Sequence, residues 1–247
     1  MNAPILDGVR PRILSRRESL IDFRRDLHRH PERGFEERRT SARVRGRLEG
    51  AGLELRAGIA RTGLRALVRG SGPRTILFRA DMDALPIQEE SEKPYASTVP
   101  GVMHACGHDA HTSILMGVAE ALASVREDLP GEVMFIFQPA EEGPPDGEEG
   151  GAELMLKQGL FKDFTPEAVF GLHVFSTLNV GKIGYRGGPT MAASDRFRIV
   201  VKGRQAHGSS PWMGVDPIVA AADIVSTAQT IVSRRNDISR LPVVVTF

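Results

Sequence analysis

Apolar residues recur along this chain at two distinct spacings. Over residues 15–28, Leu20, Ile21, Phe23 and Leu27 fall on one face of a 3.6-residue repeat, and Pro31 ends the pattern; this predicts a helix. A second helix is predicted over 37–49, closed by Gly50 and Gly52. Short strand patterns follow at 64–68 and 75–79. Helical spacing returns over 111–126, with Ile114, Leu115, Val118, Ala119 and Leu122 on one face. Residues 133–137 are continuously apolar, as a strand covered on both faces would be. Residues 151–158 read as helix and 168–172 as another buried strand. Strands alternating with helices predict the α/β class: a mostly parallel sheet covered by helices and joined by right-handed crossovers.

The pattern changes near Gly187-Gly188-Pro189. Beyond it, residues 197–202 partly alternate apolar with polar, 217–233 repeat as a helix does, and 243–247 form an apolar run. These elements predict a division into residues 1–190 and 191–247, the second being the start of a smaller α+β domain with an antiparallel sheet. The final apolar run carries no cap, turn or polar tail, as expected of a piece of a longer protein.

Composition narrows the field. The chain has 247 residues, 41% hydrophobic and 26% charged, with a net charge of +1. No large field exists to attract nucleic acid or a membrane surface. The arginines near the N-terminus are interleaved with acids, as on a solvated helix face. No apolar run approaches the ~20 residues of a membrane span, and no signal peptide is evident. The single cysteine excludes an intrachain disulfide and suits a reducing compartment, here the cytoplasm.

The candidate chemistry lies at the ends of the predicted strands, where open α/β sheets bind ligands. Asp81 and Asp83 follow 75–79, Glu141 and Glu142 follow 133–137, and His173 closes 168–172. Cys106 and His108 precede the 111–126 helix, whose N-terminus is expected to favour a thiolate. Adjacent Glu141 and Glu142 repel one another unless a cation neutralises them. One can then bind metal while the other takes a proton from a metal-held water. Asp83 either orients a ligand imidazole, binds metal itself, or caps the turn before Pro86. His207, on the 203–208 loop, reaches a substrate oxygen if its domain closes over the rim. His28, His30, His104 and His111 read as structural or supporting residues. Paired glutamates fit poorly with a structural zinc site, which shows closed Cys/His sets.

Taken together, Leu27-His28-Arg29-His30-Pro31-Glu32, Arg79-Ala80-Asp81-Met82-Asp83-Ala84-Leu85-Pro86, and segments 103–111, 138–143, 171–173 and 203–211 resemble the M20 metallopeptidase family. The resemblance is closest to its amidohydrolase branch: hippurate hydrolases, N-acyl-amino-acid amidohydrolases and auxin-conjugate hydrolases. It implies a catalytic domain (1–190) with two divalent ions, Mn²⁺ or Zn²⁺ with Co²⁺ or Ni²⁺ as alternatives. It also implies a lid domain (from 191) through which the full-length protein forms a homodimer. Cys106, His108, Glu142 and His173 then correspond to metal ligands, Glu141 to the general base and acid, Asp83 to a supporting aspartate, and His207 to a lid histidine that steadies substrate. Asp81 stands where much of the wider family has a ligand histidine, a departure shared by the amidohydrolase branch. The family supplies a further ligand histidine beyond the point where this chain stops. The implied reaction is hydrolysis of an N-acyl amino acid. The rival readings are a dipeptidase or carboxypeptidase on the same scaffold, a Cys106 nucleophile, and an inactive metal-binding fragment.

Overall fold

The computed structural model describes residues 3–188, 190, 191, 193–237 and 243–247. The chain divides into two compact units, Met1–Thr177 and Leu178–Phe247; the sequence pattern alone places the change at 190/191.

The first unit is built on a five-stranded sheet of order β1-β2-β4-β3-β5, with β1 Glu54–Ile59, β2 Gly63–Val68, β3 Arg74–Asp81, β4 Gly131–Gln138 and β5 Ala168–Gly171. Parallel pairing joins β3 to β4 and β5, while β1–β2 and β2–β4 are antiparallel. The α/β class therefore holds with a mixed sheet, and the parallel half is the part that carries the chemistry. β4 is central because its apolar run supplies both faces. Phe135 and Phe137 pack with Phe23, Leu27, Val44, Leu48 and Met116 on one side. Met134 and Ile136 pack with Phe35, Leu77, Met155 and Phe164 on the other. Alternate side chains of a strand point to opposite faces, so a strand with helices on both sides must be apolar throughout.

Four of the covering helices match the predicted positions: α2 Arg17–Arg29, α3 Arg38–Gly50, α4 His108–Ala123 and α5 Gly151–Lys157. α4 starts three residues before the predicted His111, because Gly107 is its N-cap and His108 and Asp109 form its first turn. A further helix, α1 Ala3–Ser15, runs across Pro11 and is not evident from the periodicity. α5 Gly151–Lys157 buries Gly151 and Met155. Edge strand β1 escaped notice because Glu54, Arg56 and Gly58 break its apolar pattern, which an edge tolerates. β5 corrects an expectation: it is not a buried strand, since Val169 and Phe170 are 60% and 50% exposed.

The second unit contains a short 3₁₀ turn at Pro211–Met213, then α6 Pro217–Thr230, which runs into a π-helical turn at Ile231–Arg235. Asp216 caps α6 by accepting the Ile218 and Val219 N–H groups. The antiparallel sheet expected here is not formed among the described residues. Among the described residues, 197–202 and 243–247 have strand-like patterns but no ladder partner, and an isolated bridge joins Arg204 to Val215. Alternation describes a half-buried surface; without a neighbouring strand it does not make one. Among the described residues no helix is long and apolar enough to cross a membrane.

Candidate metal centre

Three segments converge at the carboxyl ends of β3, β4 and β5, and the N-terminus of α4 completes the rim. Gly107 makes the close approach possible. Its φ is +86°, and a β-carbon added there would lie 2.4 Å from Val174 Cγ2. Any side chain would therefore both strain the turn and push the His173 segment away from Cys106 and His108.

The donor atoms meet in three overlapping groups: Cys106, His108 and His173; His108, Glu141 and Glu142; and Asp81, His108 and His111. Within each group, one atom per residue lies within 4.8 Å of the others. Cys106 Sγ is 3.4 Å from His173 Nε2. His173 donates its Nδ1–H to the Val174 carbonyl at 2.7 Å, which leaves Nε2 as the free base facing the sulfur. His108 Nδ1 donates to Asp83 Oδ1 at 3.2 Å, so in the neutral ring Nε2 carries the lone pair. That nitrogen lies 3.6 Å from Glu142 Oε1 and 3.9 Å from Glu141 Oε2. It is buried and has no hydrogen-bond partner among the described residues. A buried imidazole nitrogen left unpaired is costly unless something absent from the protein chain satisfies it.

His111 is a scaffold rather than a donor. Its Nδ1–H donates to Asp81 Oδ1 at 2.6 Å, and its Nε2 accepts the Val174 N–H at 3.0 Å. Both ring nitrogens are thereby occupied, and β3 is tied to the chain beyond β5. Asp83 is similarly committed: one oxygen takes His108, and the other accepts the Glu142 N–H at 2.9 Å. A single buried carboxylate thus fixes both the tautomer of one donor and the backbone of another.

The cluster gathers acidic groups around half-buried and buried donors. Burial, followed by Glu142, Glu141 and Asp81, pushes the Cys106 thiol up to about 12. Burial first, and then the nearby carboxylates, thus oppose the thiolate that a helix N-terminus would favour. Burial and Asp81 also raise Glu141, against the pull of Arg79 and His108. Burial opposes charge on His108, but Asp83, Asp81 and Glu142 together raise its pKa. Burial would raise Asp81 as well, yet His111, His108 and Arg79 hold it at about 2. Sulfur, imidazole and carboxylate donors around an unpaired buried nitrogen suit divalent cations.

Of the residues singled out by sequence, Cys106, His108, Glu141, Glu142, His173 and Asp83 share this cluster. His207 lies in the second unit, exposed, with Nδ1 2.8 Å from Ser209 Oγ. Arg79 was missed. It contacts Asp81 Oδ2 at 2.8 Å and Glu141 Oε1 at 3.8 Å, and donates to Gln138 Oε1 at 2.9 Å. The available signal was its position two residues before Asp81, on the same face of β3.

Residues 77–242 match the model of Peptidase family M20/M25/M40. The chain is 46% identical over 218 residues to an N-acetylcysteine deacetylase of Bacillus subtilis (strain 168), covering 87% of this chain and 55% of the relative. It is also 46% identical over 220 residues to an N-acyl-L-amino acid amidohydrolase of Geobacillus stearothermophilus, covering 88% and 58%. The crystal structure of the Bacillus subtilis YXEP protein, a dinuclear metal binding peptidase from the M20 family, superposes with a TM-score of 0.64 at 44% identity, covering 70% of this chain and 46% of that one. The chain thus spans little more than half the length of the curated relatives it matches.

Proposed function

The chain belongs to Peptidase family M20/M25/M40, and from that premise we propose that it is the metal-holding part of an amidohydrolase that splits N-acyl amino acids into a carboxylate and an amino acid. The observation that carries this reading is the buried, unpaired His108 Nε2, surrounded by a thiol, a second imidazole and two carboxylates. The curated relatives act, by their names, on N-acetylcysteine and N-acyl-L-amino acids, which points to the substrate class.

Cys106, His108, Glu142 and His173 would hold two divalent ions, Mn²⁺ or Zn²⁺ in the first instance and Co²⁺ or Ni²⁺ otherwise. Bound there, such ions supply a Lewis acid for the amide carbonyl and lower the pKa of water toward neutrality. Glu141 is the general base and then the general acid. It takes the proton of the attacking water at its carboxylate and returns it to the leaving amine nitrogen. Its raised pKa suits both halves of that task. Asp83 keeps His108 in the tautomer whose Nε2 faces the site. We assign residues 1–190 to the catalytic domain and 191–247 to the start of a lid, with His207 steadying a substrate oxygen and the lid mediating homodimerisation. A lone cysteine that must serve as a thiolate favours the cytoplasm.

The Cys106–His173 pair also invites a cysteine-nucleophile reading. Burial and the carboxylates count against it, because a thiol pushed up to about 12 is protonated at neutral pH. The deciding experiment uses the intact protein with a panel of N-acyl amino acids and simple dipeptides. We expect hydrolysis of the former, loss on chelation, and recovery with Mn²⁺ or Zn²⁺. Full activity in the presence of excess chelator would sink the metal reading, and faster dipeptide cleavage would move the enzyme to the dipeptidases.

A further inference from the structure

Glu37 is fully buried, at 0% exposed, and takes no part in the cluster described above. It occupies the N-cap position of α3, yet its side chain makes no capping bond. Glu32 does that work, accepting the Arg39 and Thr40 N–H groups at 2.9 and 2.8 Å. Glu37 is thereby released to reach across the fold. Its Oε1 accepts the Ala140 N–H at 2.8 Å, and its Oε2 accepts the Thr62 hydroxyl at 2.6 Å.

Ala140 immediately precedes the glutamate pair, and its backbone is left-handed, with φ +46°. A residue with a β-carbon persists in that region only when its surroundings hold it there. Three contacts do so. Glu37 takes the N–H, and Gly151 donates to the Ala140 carbonyl at 3.2 Å. Gly34 supplies the third: a β-carbon there would sit 3.0 Å from both Ala140 Cβ and the Gly143 carbonyl oxygen. The absence of that carbon lets the 34–37 segment press directly onto the turn.

We propose that Glu37 is a positioning residue for the carboxylate pair. By gripping the Ala140 amide it fixes the left-handed turn that aims Glu141 and Glu142 at the metal centre. This rests on the functional reading above for its effect on catalysis, but not for its effect on cation binding.

The test is a set of substitutions in the intact protein, read by Mn²⁺ affinity against a chromophoric chelator and by kcat and KM on an N-acyl amino acid. Glu37→Ala frees the Ala140 amide and should weaken Mn²⁺ binding about tenfold and lower kcat at least as much, with KM nearly unchanged. Glu37→Gln keeps a carbonyl oxygen for Ala140 and should stay within about threefold of the parent on both readouts. Thr62→Val removes the other contact of Glu37 and should lower the melting temperature while sparing Mn²⁺ affinity. If Glu37→Ala does not fold, Glu37→Asp takes its place, since the shorter arm cannot reach both partners.

Parental affinity and kcat in a folded Ala or Asp variant would overturn the proposal. So would a Gln variant as impaired as Ala, or a Thr62→Val variant that loses as much affinity. If the parent binds Mn²⁺ but cleaves no N-acyl amino acid, the functional reading fails, and the affinity series still decides the role of Glu37.

Discussion

Replacing Asp83 by Asn isolates the contribution of one buried carboxylate to cation binding. Asp83 is 1% exposed and accepts two N–H groups, from His108 Nδ1 at 3.2 Å and Glu142 N at 2.9 Å. A carboxamide has one oxygen, so it can serve only one of them, and its NH₂ then faces the other donor. The loss is one charge-assisted hydrogen bond, about 1.5–3 kcal/mol, together with a buried donor left unpaired at about 1–3 kcal/mol. An opposing effect exists. Asp83 is among the groups that raise His108, so its removal eases deprotonation of that imidazole and lessens competition from the proton. At equal distance, however, a carboxylate attracts a dication twice as strongly as a proton, so the attraction dominates. The expected net effect is a 10–100-fold loss of Mn²⁺ or Zn²⁺ affinity, equivalent to about 1.4–2.7 kcal/mol. Competition with a chromophoric chelator measures it directly, and a melting curve of the metal-free variant reports whether the fold survives. An Asn variant that folds and binds both cations like the parent would refute the assignment of Asp83 as the residue that orients the site.

Glu141→Gln should cost about 10²–10⁴-fold in kcat while leaving metal content unchanged, as steady-state rates and elemental analysis will show; a rate near the parent's removes Glu141 as the base. Because the Cys106 thiol is pushed up to about 12 in the metal-free chain, ligation must displace its proton at every pH below that value. Affinity should therefore climb with pH across the neutral range, and calorimetry in buffers of different ionisation enthalpy should register a released proton that Cys106→Ser abolishes. Asp81 is held at about 2, below its ordinary 3.8, so its contribution to metal-free stability is present above pH 3.8 and is lost as pH falls through 2. The shift corresponds to about 2 kcal/mol, and urea unfolding of Asp81→Asn should lose that much at pH 7 and converge with the parent near pH 2.

Much of this architecture is legible in the chain because each element announces itself by one dominant force. The 133–137 run is apolar on both faces since helices cover both, and the α2 and α3 repeats stop where proline or glycine stops them. The rim residues are legible because strand ends are where backbone turns away and polar groups become affordable. What escapes is whatever depends on a partner distant in sequence. β1 exists because β2 lies beside it, whereas residues 197–202 have the pattern of a strand and no ladder partner among the described residues. His108, in the turn beside Cys106, is separable from His111 in the sequence, but the contacts that occupy both ring nitrogens of His111 are visible only in the fold. Arg79 and Glu37 act through contacts that only the fold creates. At Cys106 the helix end is visible locally, while the burial and the three acids that oppose a thiolate, Glu142, Glu141 and Asp81, arise only from the fold.

The fate of His111 has a practical corollary. One main-chain amide, that of Val174, occupies Nε2 of this imidazole, which braces β3, while the Nε2 of its neighbour His108 has no hydrogen-bond partner among the described residues. The smallest portable version of the centre is therefore discontinuous. A designer who grafts the 104–111 loop onto a foreign scaffold without a peptide group in the place of residue 174 would release a spare ligand, and with it a different coordination number and a different preference among metals.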